Sequence, residues 1–171
     1  MGDKNVLFWF KEPKDLDKVL CLSPWSFDKY LVVFHKLGVG EVVNKLKFNK
    51  ALFWVQIHGL PTMNRSKEMG LRIGGILGEV KVEVDEHGFS LGGYLRICVV
   101  MDITQSLCRG RRVRIGDSTV TWVDFKYERL PIFYYWCGKE DHDRCDCLQW
   151  MHSKETLRPE EKKYRPWLRV T

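Results

Sequence analysis

Cys137, His142 and Cys147 have four residues between each neighbouring pair, inside the run Phe133-Tyr134-Tyr135-Trp136-Cys137-Gly138-Lys139-Glu140-Asp141-His142-Asp143-Arg144-Cys145-Asp146-Cys147. Thiolate and imidazole at such intervals are the donors that a structural zinc ion takes in a tetrahedral shell. The spacing is that of the last three donors in a Cys-x2-Cys-x4-His-x4-Cys loop. Tyr134 stands where the first cysteine would fall. Its phenol, with an ordinary pKa of about 10, is a poor zinc donor at neutral pH. Cys145, His152 or a water molecule could supply the fourth donor, and a metal-free loop is the alternative. Gly138 suits the tight turn after Cys137. Such a loop needs little apolar core, because ligation contributes about 10–16 kcal/mol in zinc-finger peptides.

Phe133, Tyr134, Tyr135 and Trp136 crowd the N-terminal side of this loop. Aromatic faces stack on unpaired bases, at about 1–3 kcal/mol per base. The plainer reading is packing of the loop against the preceding layer; two of the four are expected to pack so, with Tyr135 or Trp136 the expected base contact. Lys139 and Arg144 could touch phosphate, and a solvated surface charge is the plainer reading of either one alone. A second basic cluster is Arg109, Arg111, Arg112 and Arg114. On a strand, Arg112 and Arg114 share one face while Val113 and Ile115 take the other. With Arg96 expected on the neighbouring strand, they would form a stripe able to neutralise phosphates, with salt-dependent affinity. A solubilising outer sheet face is the plainer reading of the same pattern.

The rest of the chain must position these groups. It has 171 residues, 44% hydrophobic and 29% charged, with a formal net charge of +6. That is enough for one globular domain with a small appendage, and the charge favours polyanionic partners. Six cysteines without a signal-peptide layout at the start fit a reducing intracellular setting better than a disulfide scaffold. Val6 occupies the serine/threonine position of a myristoylation signal. No apolar run approaches the roughly 20 residues of a membrane span.

Val6 to Phe10 has the composition of a buried strand. Pro13 opens a helix in which Leu16, Val19 and Leu20 recur at helical spacing, and Pro24 stops it. Tyr30 to Phe34 reads as a second strand. This strand–helix–strand unit is too small to stand alone. Residues 38–50 form a basic connection. Phe53, Val55 and Ile57 then alternate with Trp54, Gln56 and His58 as a strand. Asn64 is the expected cap of a helix carrying Met69, Ile73, Ile76 and Leu77 and closed by Gly78. Val80 to Asp85, Leu95 to Met101, and a hairpin of Arg111–Ile115 with Thr119–Tyr127 complete an α+β layer. Leu130-Pro131 separates that layer from the Cys/His segment.

Several phrases in order resemble one family. They are Pro24-Trp25-Ser26-Phe27, Trp54-Val55-Gln56-Ile57-His58-Gly59-Leu60-Pro61, Asp102-Ile103-Thr104, Leu107-Cys108-Arg109-Gly110, Lys126-Tyr127-Glu128-Arg129-Leu130-Pro131, the Cys/His run, and Pro166-Trp167-Leu168-Arg169. Together they resemble plant proteins derived from non-LTR (LINE-type) retrotransposons, which pair an N-terminal domain of unknown function with a CX2CX4HX4C zinc knuckle. The resemblance implies a small RNA-recognition-like strand/helix layer followed by the knuckle. It also implies binding of zinc and of single-stranded RNA or DNA. The ligands carry over as Cys137, His142 and Cys147; the first does not, and Asp141 replaces the glycine that often precedes the histidine. By the same resemblance only the second half of the N-terminal unit is present, from about Val6, so a truncated copy is expected.

The expected organisation is a partial N-terminal unit at 1–37, a connection at 38–50, an α+β domain at 51–131, a degenerate knuckle at 132–150 and a charged tail at 151–171. No catalytic motif accompanies the metal donors, so a binding protein, not an enzyme, is expected. Its alternative is a metal-free structural remnant with no activity or only protein contacts. Gly70, Gly74, Gly75 and Gly78 miss the phosphate-loop spacing, and Gly70 with Gly74 fits close packing of a helix face. His35, His58 and His87 read as structural or surface histidines, and Cys21, Cys98 and Cys108 as inert thiols. The sheet carries no clear aromatic-glycine signature for reading bases.

Overall fold

The computed structural model describes residues 5–28, 30–81, 93–116, 119–131, 137, 164 and 166–170. Helix α1 (Pro13–Cys21) starts on its proline and turns Leu16, Val19 and Leu20 partly inward. A small hairpin follows, β1 (Trp25–Phe27) and β2 (Tyr30–Val32), paired from Trp25↔Val32 to Phe27↔Tyr30. The Trp25 indole N–H donates to the Val19 carbonyl at 2.8 Å and ties the hairpin to the helix.

The main layer is β3 (Lys50–His58), α2 (Lys67–Leu77), β4 (Glu79–Lys81), β5 (Tyr94–Asp102), β6 (Gly110–Ile115) and β7 (Thr119–Tyr127). Among the described residues its sheet runs in the order β4-β5-β3-β7-β6, with every neighbouring pair antiparallel. The chain is therefore α+β. β3, α2 and β4 form a split β-α-β unit, with β5 inserted between its two strands.

Register decides which side chains share a face. Ala51, Phe53, Val55 and Ile57 of β3 lie beside Met101, Val99, Ile97 and Leu95 of β5. With Val123, Phe125, Tyr127 and Ile73 they make a buried core under α2. Each fully buried large side chain there is worth about 1.5–3 kcal/mol of transfer free energy. Helix α2 sits close because its inner face is glycine. A Cβ on Gly70 would meet Leu95 at 3.1 Å and Ile97 at 3.2 Å, and one on Gly74 would meet Val80 at 2.6 Å. The close-packing reading of Gly70 and Gly74 is what the helix does.

Three expectations need correction, and a fourth is reached only in part. Val6 to Phe10 is not a strand: it takes no regular structure and Trp9 is 90% exposed. Apolar composition favours a strand only where a ladder partner exists, and this stretch pairs with none among the described residues. The N-terminal unit is accordingly a helix followed by a hairpin. Asn64 closes a short 3-10 turn (Thr62–Asn64), and Ser66 is the cap of α2, accepting from the Met69 N–H at 3.2 Å. Of the expected strand from Val80 to Asp85, Val80 and Lys81 do belong to a strand, β4; residues 82–85 lie outside the described residues. The stretch expected as a charged tail ends in core positions. Leu168 is fully buried, Tyr164 is buried, and Arg169 bridges to Tyr127 beside the sheet. Apolar side chains at a chain end find the unpaired flank of β7 beyond β6.

Candidate functional site

Of the metal-donor set, Cys137 is described, and its side chain is 3% exposed. A shielded thiol is what a closed structural site requires. Two thiols and an imidazole fit zinc; Tyr134 does not fit as the fourth donor. Among the described residues no group of three or more His, Cys, Asp or Glu gathers as a metal site. His142 and Cys147, the substitutes Cys145 and His152, the aromatics Tyr134, Tyr135 and Trp136, and the basic Lys139 and Arg144 all lie outside the described residues. The peptide just before them is held: Pro131 is buried, and its carbonyl accepts from Arg169 Nη2.

The second face of the sheet, opposite α2, carries a different constellation. Register places Trp54, Gln56 and His58 of β3, Tyr94 and Arg96 of β5, Trp122, Asp124, Lys126 and Val120 of β7, and Arg112 and Arg114 of β6 together on it. Arg112 and Arg114 do share one exposed face, with Val113 buried on the other. Arg111 points with Val113, so the four-arginine cluster of the sequence is split between faces. Arg96 is on the same face but not on the neighbouring strand, because β3 and β7 lie between β5 and β6.

Arg96 has a local task. Its guanidinium lies 3.6 Å over the Trp54 ring and grips Glu128 with two hydrogen bonds, at 2.9 Å and 2.8 Å. Such a bidentate pair is among the stronger hydrogen-bonded contacts. Gln56 also donates to Glu128, at 2.9 Å. Its amide oxygen therefore faces His58 Nε2, 3.1 Å away, which must be the donor. The His58 ring packs on Tyr94 at 5.1 Å between centroids. Burial pushes Glu128 upward, but the hydrogen bonds from Arg96 and Gln56 and the charges of Arg96 and Arg129 outweigh it and hold the carboxyl below its usual range. His58 is held below its ordinary value of 6.5 by burial first and then by Lys126 and Arg65, against the opposing pull of Asp124. Arg96 thus spends its charge on Glu128, and the centre of this face is half-buried and electrostatically closed.

The open part of the face is the β6–β7 hairpin. Trp122 is 52% exposed, Val120 is exposed, and Arg112 and Arg114 stand directly opposite them. Sequence reasoning passed over Trp122. The signal was present: alternation through Thr119–Tyr127 puts Trp122 with Asp124 and Lys126, and pairing of Arg111–Ile115 with Thr119–Tyr127 as a hairpin brings it opposite Arg112. The surroundings of His58, read as a structural or surface histidine, were missed because Tyr94, Asp124 and Lys126 come from β5 and β7, and Gln56 is turned toward it by Glu128.

Compared with known proteins, residues 101–149 match the family model described as zinc knuckle. That stretch contains both the β6–β7 hairpin and the Cys/His run. The zinc-knuckle reading of the segment therefore stands, and such domains generally bind nucleic acid. No curated protein and no solved structure matches the chain.

Proposed function

We propose that the protein binds single-stranded RNA or DNA through a zinc knuckle carried on a basic α+β layer, and that it acts by binding, not by catalysis. The observation that carries this reading is the zinc-knuckle match over residues 101–149, with Cys137 buried and the exposed arginines Arg112 and Arg114 inside one matched stretch. Cys137, His142 and Cys147 would hold zinc, with Cys145, His152 or water as fourth donor. Zinc would supply the folding free energy of the loop, and the loop would present Tyr135 and Trp136 to bases, with Lys139 and Arg144 at phosphate. The net charge of +6 supports a polyanionic partner. The ordered phrases shared with plant retrotransposon-derived proteins support an origin in such an element, and the sheet order, with its split β-α-β unit, supports an RNA-recognition-like layer. The thiol content supports an intracellular setting.

The test is zinc content of the purified chain together with its affinity for a single-stranded oligonucleotide across salt. Bound zinc and an affinity that falls as salt rises are expected. Zinc-free protein whose binding ignores salt would end the proposal. Tyr134 favours one second reading, a metal-free remnant. It predicts that Tyr134→Cys gains tight zinc binding that the native chain lacks.

A further inference from the structure

We infer that the outer face of the β6–β7 hairpin is a second contact surface for single-stranded nucleic acid, with a base stacked on the Trp122 indole and phosphates on Arg112 and Arg114. The inference deepens the proposed single-strand binding but requires no zinc, because none of its residues is a metal donor.

The indole is pre-set for stacking. On β6, Gly110 stands opposite Asp124, one diagonal step from Trp122. The indole covers that glycine: a Cβ there would sit 2.8 Å and 2.9 Å from Trp122 Cζ2 and Cε2. The missing side chain is what lets the ring lie down on the backbone. The ring N–H is fastened to Asp124 Oδ1 at 2.7 Å. One side of the ring is thus pressed on the sheet while the residue stays half exposed, so little conformational freedom is lost when a base covers the other side.

Charge on this face is sorted the same way. Glu128 is committed to Arg96, Asp102 to the backbone and hydroxyl of Thr104, Glu79 to Lys81, and Asp124 to the indole. No carboxylate among the described residues pairs with Arg112 or Arg114. Both are exposed, on alternate positions of an edge strand, opposite Trp122 and Val120. A flat ring beside two exposed guanidinium groups matches the two repeating features of a single strand, a base and a phosphate. A protein partner would match an exposed tryptophan but would give no reason for two neighbouring arginines that no carboxylate among the described residues pairs with.

The experiment uses the full chain and fluorescently labelled 12-nucleotide oligouridylate, oligothymidylate and an abasic deoxyribose strand of the same length. Trp122→Leu keeps an apolar side chain on the strand but removes the ring; Trp122→Phe keeps a ring. Trp122→Leu should weaken binding to the strands with bases by roughly 10-fold, and Trp122→Phe by much less. On the abasic strand native and Trp122→Leu chains should bind alike. Arg112→Ala with Arg114→Ala should weaken binding to all three strands and lower the salt slope by about 1.4, roughly 0.7 for each lost phosphate contact. Equal affinity of Trp122→Leu and native chains for the base-bearing strands overturns the inference. So does an unchanged affinity accompanied by a shift in oligomeric state, which would make this face an interface between copies. His142→Ala keeps the two readings apart: if it abolishes zinc and binding while Trp122→Leu does nothing, the knuckle proposal stands and the platform falls. If Trp122→Leu weakens binding in a zinc-free chain, the platform stands alone.

Discussion

At the residue scale, Glu128 is the hinge of the sheet's second face. It receives Arg96 twice and Gln56 once, and through them it orders Trp54 and His58. Hydrogen bonds to a charged group contribute about 1.5–3 kcal/mol each at most, and this group is only partly shielded. Glu128→Gln should therefore lower stability by about 1–3 kcal/mol in urea unfolding. The pH dependence follows with a definite sign. A carboxyl held below its usual range stabilises the fold above its unfolded pKa and loses that contribution as pH falls through the folded value. His58 is depressed as well, so the unfolded chain takes up its proton first as pH drops below 6.5. The melting temperature should thus begin to decline below pH 6.5 and fall further through the carboxylate range. Glu128→Gln should flatten the lower part of that decline, and His58→Gln the upper part. An unchanged pH profile in both variants would contradict the network.

At the element scale, α2 offers a test inside one helix. Gly74 and Gly75 are adjacent, yet a Cβ on Gly74 runs into Val80 and Ile97, while one on Gly75 meets nothing within 4 Å. Gly75→Ala should raise stability by about 0.5–1 kcal/mol, because it removes backbone freedom from the unfolded chain and improves helix propensity. Gly74→Ala should lower it by about 1–3 kcal/mol, since Val80 is a stiff β-branched side chain with little room to yield. Opposite signs at neighbouring positions are the signature of one helix face pressed on the sheet. The cap is a third check: Ser66→Ala should cost about 1 kcal/mol and Asn64→Ala less, because Ser66 alone of the two accepts from the helix. Equal losses would restore Asn64 as the cap.

At the scale of the whole molecule, the C-terminal segment closes on the end of β7. Val170 N–H donates to the Tyr127 carbonyl at 3.0 Å, Tyr127 Oη donates to the Cys108 carbonyl at 2.7 Å, and Leu168 is fully buried beside them. This flank of β7 is where the chain leaves for the Cys/His run. Leu168→Ala should therefore cost about 2–5 kcal/mol, the range for a buried leucine that leaves a cavity. A loss under 1 kcal/mol in urea unfolding would mean that the C-terminal segment is not part of the cooperative fold.

Much of this was legible in the chain itself. Alternation of apolar and polar residues in Lys50–His58, Tyr94–Asp102 and Thr119–Tyr127 is local, so it announced the strands and their buried sides without any knowledge of neighbours. The i, i+4 glycines announced a tightly packed helix, and the Cys137–His142–Cys147 spacing announced the zinc-knuckle segment that the family match over residues 101–149 supports. Strand order was not legible. It depends on which ladders win the shared core, and it put two strands between Arg96 and Arg112. The same tertiary choice laid Trp122 on Gly110, gave Arg96 to Glu128, moved the helix cap from Asn64 to Ser66, and drew Leu168 out of a charged segment into the core. Each of these is a contact between residues distant in sequence or a competition between adjacent caps, and only packing free energy arbitrates such choices.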